Sequence, residues 1–422
     1  MSAPANGSGS RNTNQTFLYF GGLTLFIALA TPAGYLVDIQ MSYMLKNQLH
    51  ATATQVSMFR LITAVPLYVA FLFGLLRDQW NPLGMRDRGF FLIFGLVTAA
   101  AYLGMAFAPI TYQGLLIGML LTMLSFRLVN AAFQGLMALI GQEELVSGRL
   151  SVVWQIVTYI PYIAGALASG YISGHLAPRA TFLVVAAFAV GLALMGLWKP
   201  RAIFSHAYDR PQARTTTFTA DVARLVKHRA IYAPLLMMFL WSFAPGANTP
   251  LQFYLTNTLH ASDAVYSYYS AVFVASFIPT MLLYGYLCKR VRLNRLLWWG
   301  AAIAVPQMIP LVFIHSGNLA IAMAAPIGLL GGVITVAIYD LSMRSCPPGL
   351  QGTLMMLVEG ASYVAARGGD LLGSKIYGSS PTDGFLYCVI ATTIVYALIL
   401  PLILLVPKQL MATADGEAIP AS

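Results

Sequence analysis

Six ionisable side chains, Asp38, Arg60, Arg127, Glu359, Arg367 and Asp370, stand inside stretches of the chain that are otherwise apolar. A charged group in hydrocarbon costs roughly 2.5 to 3.5 kcal/mol on insertion scales, so such residues face one another or a water-filled cavity. Glu359, Tyr363, Arg367 and Asp370 fall at about 0°, 40°, 80° and 20° around a helix that advances ~100° per residue, and so share one face. Arg367 and Asp370, three residues apart, can neutralise one another. Glu359 is then left for reversible protonation or for a permanent pair with an arginine of another helix. Arg127 has no acid within two turns of its own helix. Its planar fork suits a carboxylate or phosphate, and a salt bridge to the Glu359 helix or a set of backbone carbonyls would satisfy it as well. Asp38 and Arg60 lie at similar depths on neighbouring stretches, where an ion pair could belong to a site or only fix helix packing.

Other chemistries lack their residues. The histidines fall at segment ends or in polar connections, and none pairs with a cysteine at metal-ligand spacing. The cysteines number 3, an odd and unclustered set that makes no disulfide framework. No phosphate-cradling Gly-x4-Gly-Lys-Ser/Thr, His-Glu-x-x-His or Gly-x-Ser-x-Gly occurs, which argues against an ATP-driven pump, a metalloprotease or a serine hydrolase. The chain is therefore read as a non-enzyme, with no catalytic residue, metal or cofactor expected. Trp241, Phe243, Phe253, Tyr254, Tyr266, Tyr268 and Tyr269 could stack on a flat solute, or simply face lipid and the interface belt.

The scaffold that must position these groups is a membrane one. Of 422 residues, 58% are hydrophobic and 9% charged, against about 25% charged in a soluble domain. A bilayer core of about 30 Å takes about 20 apolar residues per helix. Twelve stretches qualify, near 17-46, 52-76, 89-107, 111-139, 149-176, 180-199, 231-257, 262-286, 296-314, 319-343, 351-378 and 384-407. The expected fold is all-α and polytopic. The first sixteen residues are polar with no compact apolar core before a cleavage site, so the first stretch is expected to remain as a span. Pro32, Pro66, Pro161, Pro245 and Pro306 within spans can kink or break helices beside a cavity. Ala166, Gly170 and Gly174, and Gly328, Gly331 and Gly332, read as close-packing surfaces.

Threading the spans with the first residues inside places most of the 24 Lys and Arg on that side, including those from Lys199 to Arg229 and from Lys289 to Arg295. The positive-inside rule then makes both termini cytoplasmic. The net charge of +10 is thus an orientation signal and not the mark of a nucleic-acid partner. Short polar ends and compact loops fit a bacterial inner membrane. The longest polar connection contains Pro200, Pro211 and Thr215 to Thr217, with a short amphipathic helix expected at 219 to 229.

An internal repeat divides the chain at the same place. Asn47-Gln48-Leu49-His50-Ala51-Thr52 is echoed by Asn257-Thr258-Leu259-His260-Ala261-Ser262, and Gly74-Leu75-Leu76-Arg77-Asp78 by Gly285-Tyr286-Leu287-Cys288-Lys289. Both echoes fall at equivalent places in the same membrane orientation, which implies two parallel six-helix halves. The expected organisation is a polar cytoplasmic tail at 1-16, a first half at 17-199, a central loop at 200-230, a second half at 231-407 and a cytoplasmic tail at 408-422.

This arrangement resembles the major facilitator superfamily over nearly the whole chain. Gly74-x-x-x-Asp78 followed by Arg86-Asp87-Arg88 is similar to that superfamily's signature between its second and third spans. The resemblance implies a cytoplasmic gate latch at Gly74, Asp78, Arg86 and Arg88, where the plain alternative is ordinary interfacial charge. Within the superfamily the chain most resembles the folate-biopterin transporter family. Tyr43 to Leu49 with Gln55-Val56, Gly74 to Arg88 with Asn81-Pro82-Leu83-Gly84, Ala244 to Leu251 with Phe253 to Asn257, and Cys346 to Thr353 carry that likeness. Two departures bear on the substrate. Leu67, Ala70 and Phe71 stand where that family has a Trp and a Lys-Pro pair, and Gln351 where an acid is common.

The resemblance implies a secondary transporter that moves a small organic solute, folate-like, pterin-like or another organic anion, by alternating access, and a protonatable Glu359 on the polar helix face adds a proton as the expected coupling ion. Arg127, Arg367, Asp370, Tyr363 and Asp38 would contact solute, Glu359 would carry the proton, and Asp340 with Arg344 would form an interfacial gate pair. Carriage of a peptide, sugar or nucleoside, or a non-transporting assembly or receptor role on the same fold, are the alternatives.

Overall fold

The computed structural model describes residues 9–175, 177–200, 203–204, 218–380 and 382–417. The described residues form helices and turns with no strand. In chain order they are α1 (Gly9–Ala30), α2 (Tyr35–Tyr43), α3 (Ala53–Tyr68), α4 (Ala70–Gln79), α5 (Asp87–Phe107), α6 (Tyr112–Glu143), α7 (Ser147–His175) and α8 (Pro178–Met195). Then come α9 (Phe218–Lys227), α10 (Tyr232–Ser242), α11 (Thr249–Phe253), α12 (Asp263–Leu287), α13 (Leu293–Ala304), α14 (Gly317–Arg344), α15 (Gln351–Gly378), α16 (Gly384–Ala397), α17 (Ile399–Ile403) and α18 (Lys408–Met411). The short helix expected in the central connection is α9. The Thr-rich stretch before it, the first eight residues and the last five lie outside the described residues.

Among the described residues, 9 helical segments are long and apolar enough to cross a membrane. The expected spans at 17-46, 231-257 and 351-378 are helical but are not among them, for reasons visible in the sequence. Pro32 lies in the break between α1 and α2, and Pro245 in the break between α10 and α11. A proline removes a helical hydrogen bond and crowds the preceding turn. The third, α15, is unbroken but carries Glu359, Arg367, Asp370 and Lys375. Broken or polar helices at membrane depth are tolerated where they line a cavity or are buried in protein.

The sequence repeat is a repeat in space. Residues Met44–Gln48 and Tyr254–Thr258 both widen into a π-type turn. Leu49 N–H donates to the Met44 carbonyl and Ala51 N–H to that of Leu45, while Leu259 donates to Tyr254 and Ala261 to Leu255. His50 (φ 48°) and His260 (φ 51°) both sit in the left-handed region. Thr52 and Ser262 then occupy the N-cap of the helix that follows. Each half thus closes its first span with the same turn, on the face opposite the start of α1 and α18.

Helix packing is close where glycine allows it. A Cβ on Gly328 would strike the Phe273 carbonyl and one on Gly332 the Thr280 hydroxyl, so α14 lies backbone to backbone on α12. In the first half, α5 packs against α6 and α8. The surroundings of Gly170 and Gly174 lie outside the description.

Candidate functional site

Arg127, Asn130 and Gln134 stand at i, i+3 and i+7 on α6, which puts them on one face of the helix. All three reach one acceptor on the other half of the molecule, Glu359 of α15. Arg127 Nη1 donates to Glu359 Oε1 at 2.7 Å, Asn130 Nδ2 to both oxygens at 3.0 and 2.9 Å, and Gln134 Nε2 to Oε2 at 2.6 Å. The side chains of Arg127 and Glu359 are 3% and 14% exposed. Tyr363, one turn along α15, is partly buried on the same helix face. Arg127 Nε and Gln134 Oε1 are buried with no hydrogen-bond partner among the described residues. Of the alternatives open for Arg127 in the sequence, a bridge to the Glu359 helix is the one formed.

The expected pairing of Arg367 with Asp370 is not formed. Asp370 accepts from Thr249 N–H at 2.9 Å and from the Thr249 hydroxyl at 2.9 Å. Thr249 begins α11, and the first N–H groups of a helix have no partner within it. A carboxylate in reach of such an orphan donor satisfies it, and that demand outranks a helix-surface pair. Asp370 therefore restarts the broken helix, and Arg367 is left exposed without an ion pair among the described residues. Arg367 stands eight residues beyond Glu359, roughly 12 Å further along α15 toward the face that carries the two turns.

On that face Asn248, Gln252 and Arg367 are exposed. Asp38 and Arg60 lie 4.0 Å apart with side chains more than half exposed, and Arg60 also donates to Ser42 at 2.9 Å. The expected pair is thus present as a loose one at the rim.

The face that carries the start of α1 and α18 is closed by two bonded clusters. In the first, Gly74 of α4 lies against Gly352 and Thr353 at the start of α15. Asp78 accepts from Gly352 N–H (3.2 Å), Thr353 N–H (2.7 Å) and the Thr353 hydroxyl (2.6 Å). Gly74 and Asp78 stand where the resemblance put them, but the cation is different. Arg77 grips Asp78 at 2.7 Å and Asp87 at 2.5 and 2.6 Å. Arg88 instead donates to the carbonyls of Gly196 and Leu197, and Arg86, at φ 50°, closes its loop by donating its N–H to Asn81.

The second cluster centres on Asp340. It accepts from Ser147 of α7 (2.6 Å), from Tyr284 of α12 (2.7 Å) and from Arg344 (2.8 Å), so the expected Asp340–Arg344 pair is part of a larger bridge. Beside it Asp415, beyond α18, accepts from Gly148 N–H at 2.9 Å and from Arg149 Nε at 2.6 Å.

Several of these residues were within reach of the sequence and several were not. The polar spacing of Asn130 and Gln134 after Arg127 is a helical signal in an apolar span. Arg77 adjoins Asp78, but the denser basic pair Arg86 and Arg88 that follows is the stronger local signal. Thr249, Tyr284 and Asp415 gave no local signal, since their partners lie far away in the chain.

The family model for the Major Facilitator Superfamily matches residues 16–367. The chain is 22% identical over 390 residues to a folate-biopterin transporter of Synechocystis sp., covering 87% of this chain and 78% of that protein. It is 18% identical over 374 residues to folate transporter 2 of Plasmodium falciparum, covering 84% and 80%. The fold matches that of the human organic anion transporter TETRAN with a TM-score of 0.62 at 14% identity, covering 92% of this chain and 98% of that one.

Proposed function

Because the chain belongs to the major facilitator superfamily, we propose that it is a secondary transporter that carries a small organic anion of folate or pterin type together with a proton, by alternating access. The face with the Asp78 and Asp340 clusters is cytoplasmic in this reading, as the positive-inside rule requires, and solute enters from the opposite face, where Asn248, Gln252 and Arg367 are exposed. The observation that carries the proposal is the four-residue bridge from Arg127, Asn130 and Gln134 to Glu359, which spans the two halves below an exposed Arg367 that has no ion pair among the described residues.

Arg367 draws an anion into the open side. To reach Arg127, the anion must displace Glu359, and two carboxylates against one guanidinium repel each other. Protonation of Glu359 removes that repulsion. Proton and anion then load together, and the linkage is reciprocal: each raises the affinity for the other. The bond between the halves weakens in the same step, which frees them to rock. Tyr363 stands where it can follow either partner. The distant relatives named as folate carriers support the solute class. The apolar Leu67, Ala70 and Phe71 leave the cationic role in this chain to Arg127 and Arg367.

The test is uptake of folate and pterin by proteoliposomes under an imposed pH gradient. Glu359→Gln is expected to bind and exchange solute yet lose gradient-driven accumulation, and Arg127→Ala to lose solute affinity. Unchanged accumulation in the first variant refutes the proton role. Wild-type affinity in the second refutes the anion role.

A further inference from the structure

In the first half, an acid at the end of the second span caps the start of α15. The repeat places the end of α12 in the equivalent position of the second half, facing the start of α7, and there it has no acid. The echo of the second span's end sets Lys289 opposite Asp78 and the echo of the first span's turn, one residue shorter in offset, sets Cys288 there, and neither is an acid. The geometry nonetheless repeats. A Cβ on Gly148 would lie 3.0 Å from Asp340 Oδ2 and 3.3 Å from both Asp415 Oδ1 and Cys288 Cβ, and of these two acids it is Asp415 that accepts the Gly148 N–H, as Asp78 accepts the Gly352 N–H. The carboxylate missing from α12 has come from elsewhere in the chain.

We propose that the segment Thr413 to Glu417 is a working part of the gate, with Asp415 supplying in the second half the carboxylate that Asp78 supplies in the first. Its backbone is seated for that purpose. Asp415 N–H donates to the Cys288 carbonyl at 2.8 Å and Gly416 N–H to the Leu145 carbonyl at 2.7 Å, while Arg344 Nη1 donates to the Thr413 carbonyl at 3.1 Å. The segment therefore ties α12 and α14 of one half to the α6–α7 connection of the other. Asp415 takes one bond from Gly148 N–H and one from Arg149, so both carboxylate oxygens act across the interface. Release of the segment removes these links together and shifts the protein toward the state open to the cytoplasmic face. The inference rests on the alternating-access reading but not on the identity of the solute, and its test reads the two faces without measuring uptake.

Native Cys288, buried beneath the segment, is one reporter. In a Cys346→Ser, Cys388→Ser background its alkylation in detergent solution is expected to rise about tenfold or more in Asp415→Ala, the equivalent of one lost charge-assisted hydrogen bond. The same rise is expected in a chain ended after Met411. The second reporter is the distance between spin labels at Asn47→Cys and Asn257→Cys, exposed and equivalent positions on the opposite rim, with the native cysteines replaced by Ser. Asp415→Ala should enlarge the short-distance population there. Cys288→Asp, which puts the acid where the first half has it, should restore the long one. Unchanged alkylation of Cys288 overturns the proposal. So does faster alkylation without any change at the rim, because that result would describe a frayed tail and not a gate.

Discussion

Replacement of Gly74 by alanine tests the closed face at its tightest point. A Cβ there would stand 2.5 Å from the Gly352 carbonyl oxygen, 2.7 Å from Thr353 Cα and 2.8 Å from the Gly352 carbonyl carbon. All three are backbone atoms at the start of α15 and cannot rotate away. Restoring carbon contacts of about 3.5 Å requires the two helices to part by about 1 Å. That movement stretches the three Asp78 bonds, now 2.6 to 3.2 Å, to the limit of useful geometry. Overpacking of this kind costs about 1–3 kcal/mol. In the alternating-access reading the cost falls on the closed conformation alone, because opening this face requires α4 and α15 to part at this end. A bias of about 1–3 kcal/mol changes the closed-to-open ratio by roughly 5- to 150-fold. Cys346 reports it: the thiol is buried beside this cluster, donating to the Ser342 carbonyl at 3.3 Å. Its alkylation rate, measured in a Cys288→Ser, Cys388→Ser background, should rise by about that factor while thermal melting remains cooperative. An unchanged rate in a folded variant would show that the Gly74 contact does not hold the face shut, and the gate role of the cluster would fall with it.

Two further outcomes follow from the site. Asp370→Ala should destabilise the protein by about 0.5–2 kcal/mol, the cost of losing a capping side chain, seen as a lower melting temperature; the same loss in Asp370→Ala and in Arg367→Ala would mean that the two act as a pair after all. Burial, and next to it the charge of Asp340, holds the Asp415 carboxyl above its ordinary range, against the opposing pull of Arg149 and the Gly148 N–H. A group with a higher pKa docked than free binds its proton more tightly docked. Docking therefore strengthens as pH falls through the window between the free and docked values, and weakens as pH rises through it. Arg344, Tyr284 and Cys288 face the same cluster. Hydrogen exchange at the Asp415 and Gly416 amides, corrected for its intrinsic pH dependence, should show protection growing toward acid; protection that declines would reverse the sign.

The membrane class, the repeat and the polar face of α15 could all be read from residue types and spacing, because each is a local or periodic signal. Glu359 and Arg127 were visible as costly groups, yet their union was one of several open options, since helix spacing says nothing about which neighbour lies across an interface. The Arg367–Asp370 expectation failed for a physical reason. A pair at i, i+3 on an exposed helix is worth about 0.2–0.5 kcal/mol, whereas an uncapped helix start beside a carboxylate offers more. The break in the span that creates that helix start was suggested by Pro245, but its need for Asp370 was not. The second cluster was hidden most deeply, because Asp340 and Asp415 meet only after the chain has packed two distant segments together.

The two clusters that close one face are anchored differently, and this bears on the speed of opening. Asp78 belongs to α4, so its bonds break only when a whole helix moves. Asp415 rides on a short segment after α18, and its bonds can break while every helix stays in place. Departure of the segment is thus available as a separate earlier step, leaving a smaller set of bonds for the rigid-body movement to rupture. Since each 1.36 kcal/mol removed from a barrier speeds its crossing about tenfold, dividing the rupture in two allows a face held by many bonds to open quickly.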